Sequence, residues 1–133
     1  MIAPPAKSDR TQILQPSLMT KKIPTRFQAS VVIIKGYAEG MEYPIDKAYA
    51  VIGRGANAQV RIKDALVSRE HAVIVHHEGV FLLRDLDSTN GTHMRGASIR
   101  QRKLRHGDKF RVGETTLQFI LQETGRNRTY EIA

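Results

Sequence analysis

The sequence has no cysteine, which excludes disulfides, thiolate metal sites and thiol nucleophiles. It also lacks long apolar runs. None approaches the roughly 20 residues that a membrane-spanning helix needs, and the N-terminus has no apolar core of the signal-peptide kind. The expected compartment is therefore the cytoplasm, with no membrane partner. Aromatic residues make up only 6% of the chain, too few for an obvious stacking platform for single-stranded nucleic acid. No segment of ten or more residues repeats its apolar positions with a helical period and caps at both ends. The five histidines show no metal-ligand spacing, and adjacent His76 and His77 would face opposite ways on a strand, so neither a metal nor another cofactor is expected.

What remains is a chain of 133 residues, 41% of them hydrophobic, enough for one domain with its own core. The net charge of +8 is uneven: residues 1–28 carry +4, residues 29–121 carry +4, and residues 122–133 balance. Excess positive charge favours acidic partners of any kind and does not choose among them.

Residues 1–28 hold four of the five prolines among scattered basic and hydroxyl residues, the composition of a disordered leader. From Ala29 the chain turns into short β-rich segments: Val31 to Ile34, Met41 to Ile45, Tyr49 to Ile52, Val60 to Ile62, Ala72 to Val75, Val80 to Leu83, Lys109 to Val112 and Thr115 to Leu121. The β-branched run at Val31 suits a strand covered on both faces. Pro44 is tolerable only toward a strand edge or end. His76-His77-Glu78-Gly79 and Gly113-Glu114 read as tight connections. Many short strands at roughly ten-residue spacing indicate an all-β sandwich or barrel, whose loops gather at the two ends.

Three separated segments then offer anion-binding groups from loop tips: Gly53-Arg54, Val67-Ser68-Arg69-Glu70-His71, and Asp85 through Thr92 with Ser88-Thr89-Asn90-Gly91 inside it. Arg54, Ser68 and Thr89 can meet at one end of such a fold.

These motifs, with Leu104, Gly107-Asp108 and Val112-Gly113 following in order, closely resemble the forkhead-associated (FHA) domain over about residues 29–121. The resemblance implies a β-sandwich of about eleven strands with a phosphothreonine-peptide site in the loops at one end. It makes residues 29–121 the domain, 1–28 a flexible leader and 122–133 a C-terminal tail. It implies that Arg54, Ser68 and Thr89 contact the phosphate, that Arg69 reaches phosphate or peptide, and that Asn90 holds the peptide backbone. Gly53, His71 and Gly91 would support the site. The residue types agree: a phosphothreonine carries close to two negative charges and three acceptor oxygens, so its site needs donors and a guanidinium.

Ser68 and His71 could be read as a nucleophile and its base, but Ser-x-x-His spacing does not establish one and no Gly-x-Ser-x-Gly elbow is present. The chain is thus expected to be a binding module, not an enzyme. Two positions depart from the family pattern: Asp87 stands where glycine is common, and Gln59 where an acidic residue is frequent. Asp87 is expected to face solvent, since a carboxylate aimed at the pocket would repel phosphate. Selection of the third residue after phosphothreonine would fall to residues 64–66 and 93–96.

Thr11-Gln12-Ile13-Leu14 places a large aliphatic three residues after a threonine, a pattern some FHA domains accept, and basic Arg10 is a flank many kinases read. Thr11 is therefore a candidate phosphoacceptor able to dock on its own domain or a neighbour's; Thr20 and Thr25 are others. The expected function is phosphothreonine-peptide recognition downstream of a Ser/Thr kinase, with a phosphothreonine-containing protein or the chain's own N-terminal segment as partner. The alternative is a basic adaptor that meets an acidic protein or nucleic acid through residues 95–111, where seven Arg or Lys face Asp108 alone.

Overall fold

Along Thr115–Glu123 buried and more exposed side chains alternate, with Thr115, Leu117 and Phe119 turned inward, the period-two pattern of a strand with one face on a core. That rule repeats through the computed structural model, which describes residues 20–124. Its strands are β1 (Phe27–Lys35), β2 (Glu42–Ile45), β3 (Tyr49–Gly53), β4 (Val60–Arg61), β5 (Ala72–His77), β6 (Val80–Asp85), β7 (Thr92–Met94), β8 (Ala97–Ile99), β9 (Gln101–Leu104), β10 (Lys109–Val112) and β11 (Thr115–Glu123). They form two sheets, one of six strands in the order β2-β1-β11-β10-β7-β8 and one of five in the order β4-β3-β5-β6-β9. All named pairs run antiparallel except β3 with β4, which is parallel.

The core lies between the sheets. Val31, Ile33, Leu117, Phe119, Phe110 and Val112 from one sheet meet Ile52, Val60, Ile74, Phe81 and Leu83 from the other. Each such side chain contributes about 1.5–3 kcal/mol when fully removed from water. The strand covered on both faces is β5, not β1. Ala72 and Ile74 belong to the central core, while Val73 and Val75 join Tyr49 in a second cluster on the outer face. In β1, Val31 and Ile33 are fully buried but Ile34 is 38% exposed, because nothing among the described residues layers over that side. Pro44 sits on β2, the edge strand, paired with Ser30, where a missing N–H costs no ladder bond.

The ordered fold reaches beyond the expected domain limits. β1 starts at Phe27, which packs edge-on to Phe81. Before it, Ile23 is buried and its amide donates to the Asp46 carbonyl at 3.1 Å, while Lys21 accepts from the Ala48 amide at 2.7 Å. At the other end β11 continues to Glu123, because Phe27 pairs with Glu123 in the same ladder.

Of three two-residue hairpins, the β10–β11 turn has positive φ at Gly113 alone, 57°, and the other two have left-handed residues at both positions: Glu78-Gly79 at φ 51° and 82°, and Arg95-Gly96 at φ 51° and 79°. Positive φ at both turn positions matches the right-handed twist of the flanking strands. The Glu78-Gly79 and Arg95-Gly96 turns lie at one end of the sandwich. Gly53, the loop before β5 and the loop before β7 lie at the other.

Candidate functional site

The site end is built from two loops sewn to the tip of β3. Residues 54 and 55 donate their amides to the carbonyls of Ser68 and Arg69 at 2.9 and 3.1 Å, and Ile62 donates to Gly53 at 2.9 Å. Only glycine fits at 53, since a Cβ there would overlap the Arg69 carbonyl oxygen. Arg54 follows, exposed, and its Nε donates to the Val67 carbonyl at 2.9 Å. Nothing among the described residues engages its two terminal nitrogens.

His71 ties the second loop to the third. The ring is fully buried. Its Nδ1 accepts from the Ser68 amide at 3.0 Å, which leaves the ring proton on Nε2 to donate to the Gly91 carbonyl at 2.8 Å. Both nitrogens are thereby committed to main chain, and neither serves the Ser68 hydroxyl as a base. Ser68 Oγ instead accepts from the Thr89 amide at 3.0 Å, so its own proton is available to a ligand. Asn90 donates one amide hydrogen to the Leu66 carbonyl at 2.9 Å, and its carbonyl and second hydrogen have no partner among the described residues. Ser68 is half-buried, whereas Arg54, Arg69, Thr89 and Asn90 are exposed.

The structure thus joins Arg54 to the Ser68 loop, Ser68 to Thr89, His71 to Gly91 and Asn90 to Leu66. Thr11 lies outside the described residues. Met94 is buried in the core, and the Arg95-Gly96 turn sits beside Asp108 at the far end, with Arg95 Nη2 3.6 Å from that carboxylate. Of the two segments expected to read the third residue after phosphothreonine, 64–66 lies at the site and 93–96 is split: the His93 ring lies beside Gly91, while residues 94–96 turn to the core and the far end.

Two carboxylates to which sequence reasoning gave no bracing role organise these loops. Asp85 accepts from the Ser88 amide, the Ser88 hydroxyl and the Thr92 hydroxyl at 3.1, 2.6 and 2.7 Å. The Asp-x-x-Ser spacing is the readable signal, since short polar side chains bond their own backbone a few residues on. Asp64 accepts from the amides of Leu66 and Glu114 and from the Thr115 hydroxyl. Burial pushes its carboxyl up, but these hydrogen bonds together outweigh that and hold it below the usual carboxylate range.

Asp87 adopts φ 55° and is exposed. It fills a left-handed position that glycine takes most readily and that aspartate tolerates. Gln59 accepts the Val51 amide at 3.2 Å through its side-chain carbonyl, a bond that an acidic residue could accept equally well.

The basic stretch 95–111 is divided between the two sheets. Arg102 and Lys103 lie on β9, an edge of the five-stranded sheet, while Lys109 and Arg111 lie on β10 within the other sheet. Charge on an edge strand blocks pairing with another chain, which accounts for Arg102 and Lys103 without a partner. Among the described residues no group of His, Asp or Glu could hold a metal, and no helix is long and apolar enough to cross a membrane.

A two-sheet β-sandwich with donors gathered on loops at one end is the architecture of a recognition module that takes an anion. The chain belongs to the FHA domain family: the FHA domain model matches residues 50–113, and solved FHA domains are alike in both sequence and fold. One, from a structural and functional analysis of phosphothreonine-dependent FHA domain interactions, is 34% identical with a TM-score of 0.65, over 70% of this chain and 95% of that one. Mycobacterium tuberculosis EmbR, solved in complex with a low-affinity phosphopeptide, is 32% identical with a TM-score of 0.66, over 71% of this chain and 24% of that one. FhaA of Mycobacterium tuberculosis, an FHA domain-containing protein, is 38% identical over 88 residues, 66% of this chain. The chain spans only 17% of FhaA's length.

Proposed function

We propose that this FHA domain is a non-enzymatic module that binds phosphothreonine peptides of partner proteins in Ser/Thr kinase signalling, in a cytoplasmic setting. The observation that carries the reading is the state of the donors. Arg54's terminal nitrogens and the hydroxyl protons of Ser68 and Thr89 are unspent, on loops already braced by main-chain hydrogen bonds and His71. Bracing before binding lowers the ordering cost of association. The phosphate would meet Arg54, Ser68 and Thr89, with Arg69 beside them, and the peptide backbone would meet Asn90.

Calorimetric titration with a phosphothreonine peptide and its phosphoserine and unmodified forms tests this. Binding should require the phosphate, favour threonine, and fall at least tenfold in Arg54→Ala and in Ser68→Ala, the loss of one charge-assisted contact. Equal affinity of Arg54→Ala for the phosphorylated and unmodified peptides, with the wild type unable to tell them apart either, would remove the reading.

Docking of phosphorylated Thr11 onto the same site belongs to this proposal. Lys21 is held to Ala48, and the six strand positions from Ala48 to Arg54 cover about 20 Å. The ten residues from Thr11 to Lys21 can span about 33 Å extended and about 17 Å as a coil. Reach within one chain is therefore met, and tethering brings the effective concentration to the millimolar range. Kinase treatment should then weaken peptide binding in the native chain and leave Thr11→Ala unchanged; equal weakening in both would exclude Thr11 as the docking residue.

A further inference from the structure

A concavity of about 490 Å³ adjoins the site. It shares Arg54 and Arg69 with the proposed phosphate contacts but not Ser68, Thr89 or Asn90, and its remaining charged walls are Arg61 and Glu70. Three guanidinium groups therefore surround one hollow with a single carboxylate among them. Arg61 arrives there because β4 pairs in parallel with β3, which sets Arg61 against Gly53 and buries Val60 beneath it.

The Arg61 side chain is partly fixed: its Nε donates to the Arg54 carbonyl at 3.2 Å, and its own carbonyl accepts from the Tyr43 hydroxyl at 3.2 Å. Among the described residues its terminal nitrogens and the Arg69 guanidinium have no partner, and Glu70 pairs with none of the three arginines. Like charges gathered around one hollow repel one another, and an anion placed between them relieves that repulsion. Arginine's fork suits carboxylate and phosphate alike.

We propose that Arg61 and Arg69 form a second anion subsite, which takes a carboxylate or phosphoryl group on a residue flanking the phosphothreonine of the bound peptide. The inference rests on the phosphothreonine reading above. It makes this domain selective for acidic or doubly phosphorylated sequences, with Arg61 as the residue that sets the preference.

Anisotropy titrations of the full chain test it, using phosphothreonine peptides with alanine, aspartate or phosphoserine placed singly at each of the four positions before and after the phosphothreonine. At one position or two neighbouring ones, phosphoserine should tighten binding about tenfold over alanine, and aspartate less, because it brings one charge rather than nearly two. In Arg61→Gln that ratio should fall to about one, whatever happens to the alanine-flanked peptide. In Glu70→Gln it should rise, an opposite response that a purely structural role would not produce. A flat position scan, or an unchanged ratio in Arg61→Gln, overturns the proposal. Failure of the underlying reading is distinct: the alanine-flanked phosphothreonine peptide would then not bind, or would bind Arg54→Ala as well as wild type, and that result overturns both.

Discussion

Replacing His71 with phenylalanine keeps a buried ring and removes both of the hydrogen bonds that link the Ser68 loop to Gly91. The Ser68 amide and Gly91 carbonyl would be left without partners, at about 1–3 kcal/mol each if fully buried. Both residues are only half-buried, so water recovers part of that loss. The expected cost is about 2–4 kcal/mol, a large share of the roughly 5–15 kcal/mol available to a domain. Binding should suffer as well, because the same ring holds Ser68 and the Thr89–Gly91 segment in one arrangement; a tenfold or greater loss of phosphothreonine-peptide affinity is expected from displaced donors. Urea unfolding followed by circular dichroism measures the first quantity, and peptide titration without denaturant, well below the melting temperature of the variant, measures the second. A stability loss below about 0.5 kcal/mol with an unchanged slope would refute the accounting of these bonds. A large stability loss with unaltered affinity would refute the claim that His71 positions the site.

The remaining predictions concern backbone and pH. Gly53→Ala drives a methyl into the Arg69 carbonyl, so it should separate the 53–55 and 67–69 segments and abolish peptide binding, read by titration; intact binding would mean that the backbone shifts freely. Asp87 at φ 55° should accept glycine within about 0.5 kcal/mol, whereas Asp87→Val should cost about 1–2 kcal/mol, as read by urea unfolding. Burial, then the charges of Arg26, Lys21 and His77, holds His76 below the usual imidazole range, with its Nε2 buried and unpartnered among Phe27 and Phe81. Unfolding restores the ordinary value and takes up a proton, so this contribution is favourable above about pH 6.5 and is lost as pH falls from there through the lowered folded value. The melting temperature of His76→Phe should accordingly fall less than that of wild type between pH 8 and pH 5, and parallel curves would show that His76 does not titrate on unfolding.

Eight of the eleven strands were legible from local pattern because each falls in a segment with at least two apolar residues bounded by turn signals. The three that were not, β7, β8 and β9, are three or four residues long and mostly polar or charged. Met94, Ile99 and Leu104 supply their apolar side chains to the core, too sparse to show a period. β7 and β9 depend on pairing with β10 and β6, partners that lie elsewhere in the chain, and β8 in turn depends on β7. The covered strand was misassigned for a related reason: a run of β-branched residues reads the same whether its outer face is roofed or open, and only Tyr49, Val51 and Leu86 packing over β5 tells the two apart.

The site divides along the same line. Sequence alone determined which chemical groups are present: a guanidinium, hydroxyls and an amide on turn-forming segments, glycines where bulk or handedness forbids a side chain, and a charge balance that favours an anion. Composition and local backbone preference are carried by each residue wherever it sits. Tertiary structure alone decided which donors are spent and which remain free, that Arg61 stands beside Arg54, that Asp85 and Asp64 hold the loops, and that the basic stretch 95–111 is divided between two sheets. Those outcomes are set by distances between residues far apart in the chain, and hydrogen bonding and charge interaction depend on distance in space.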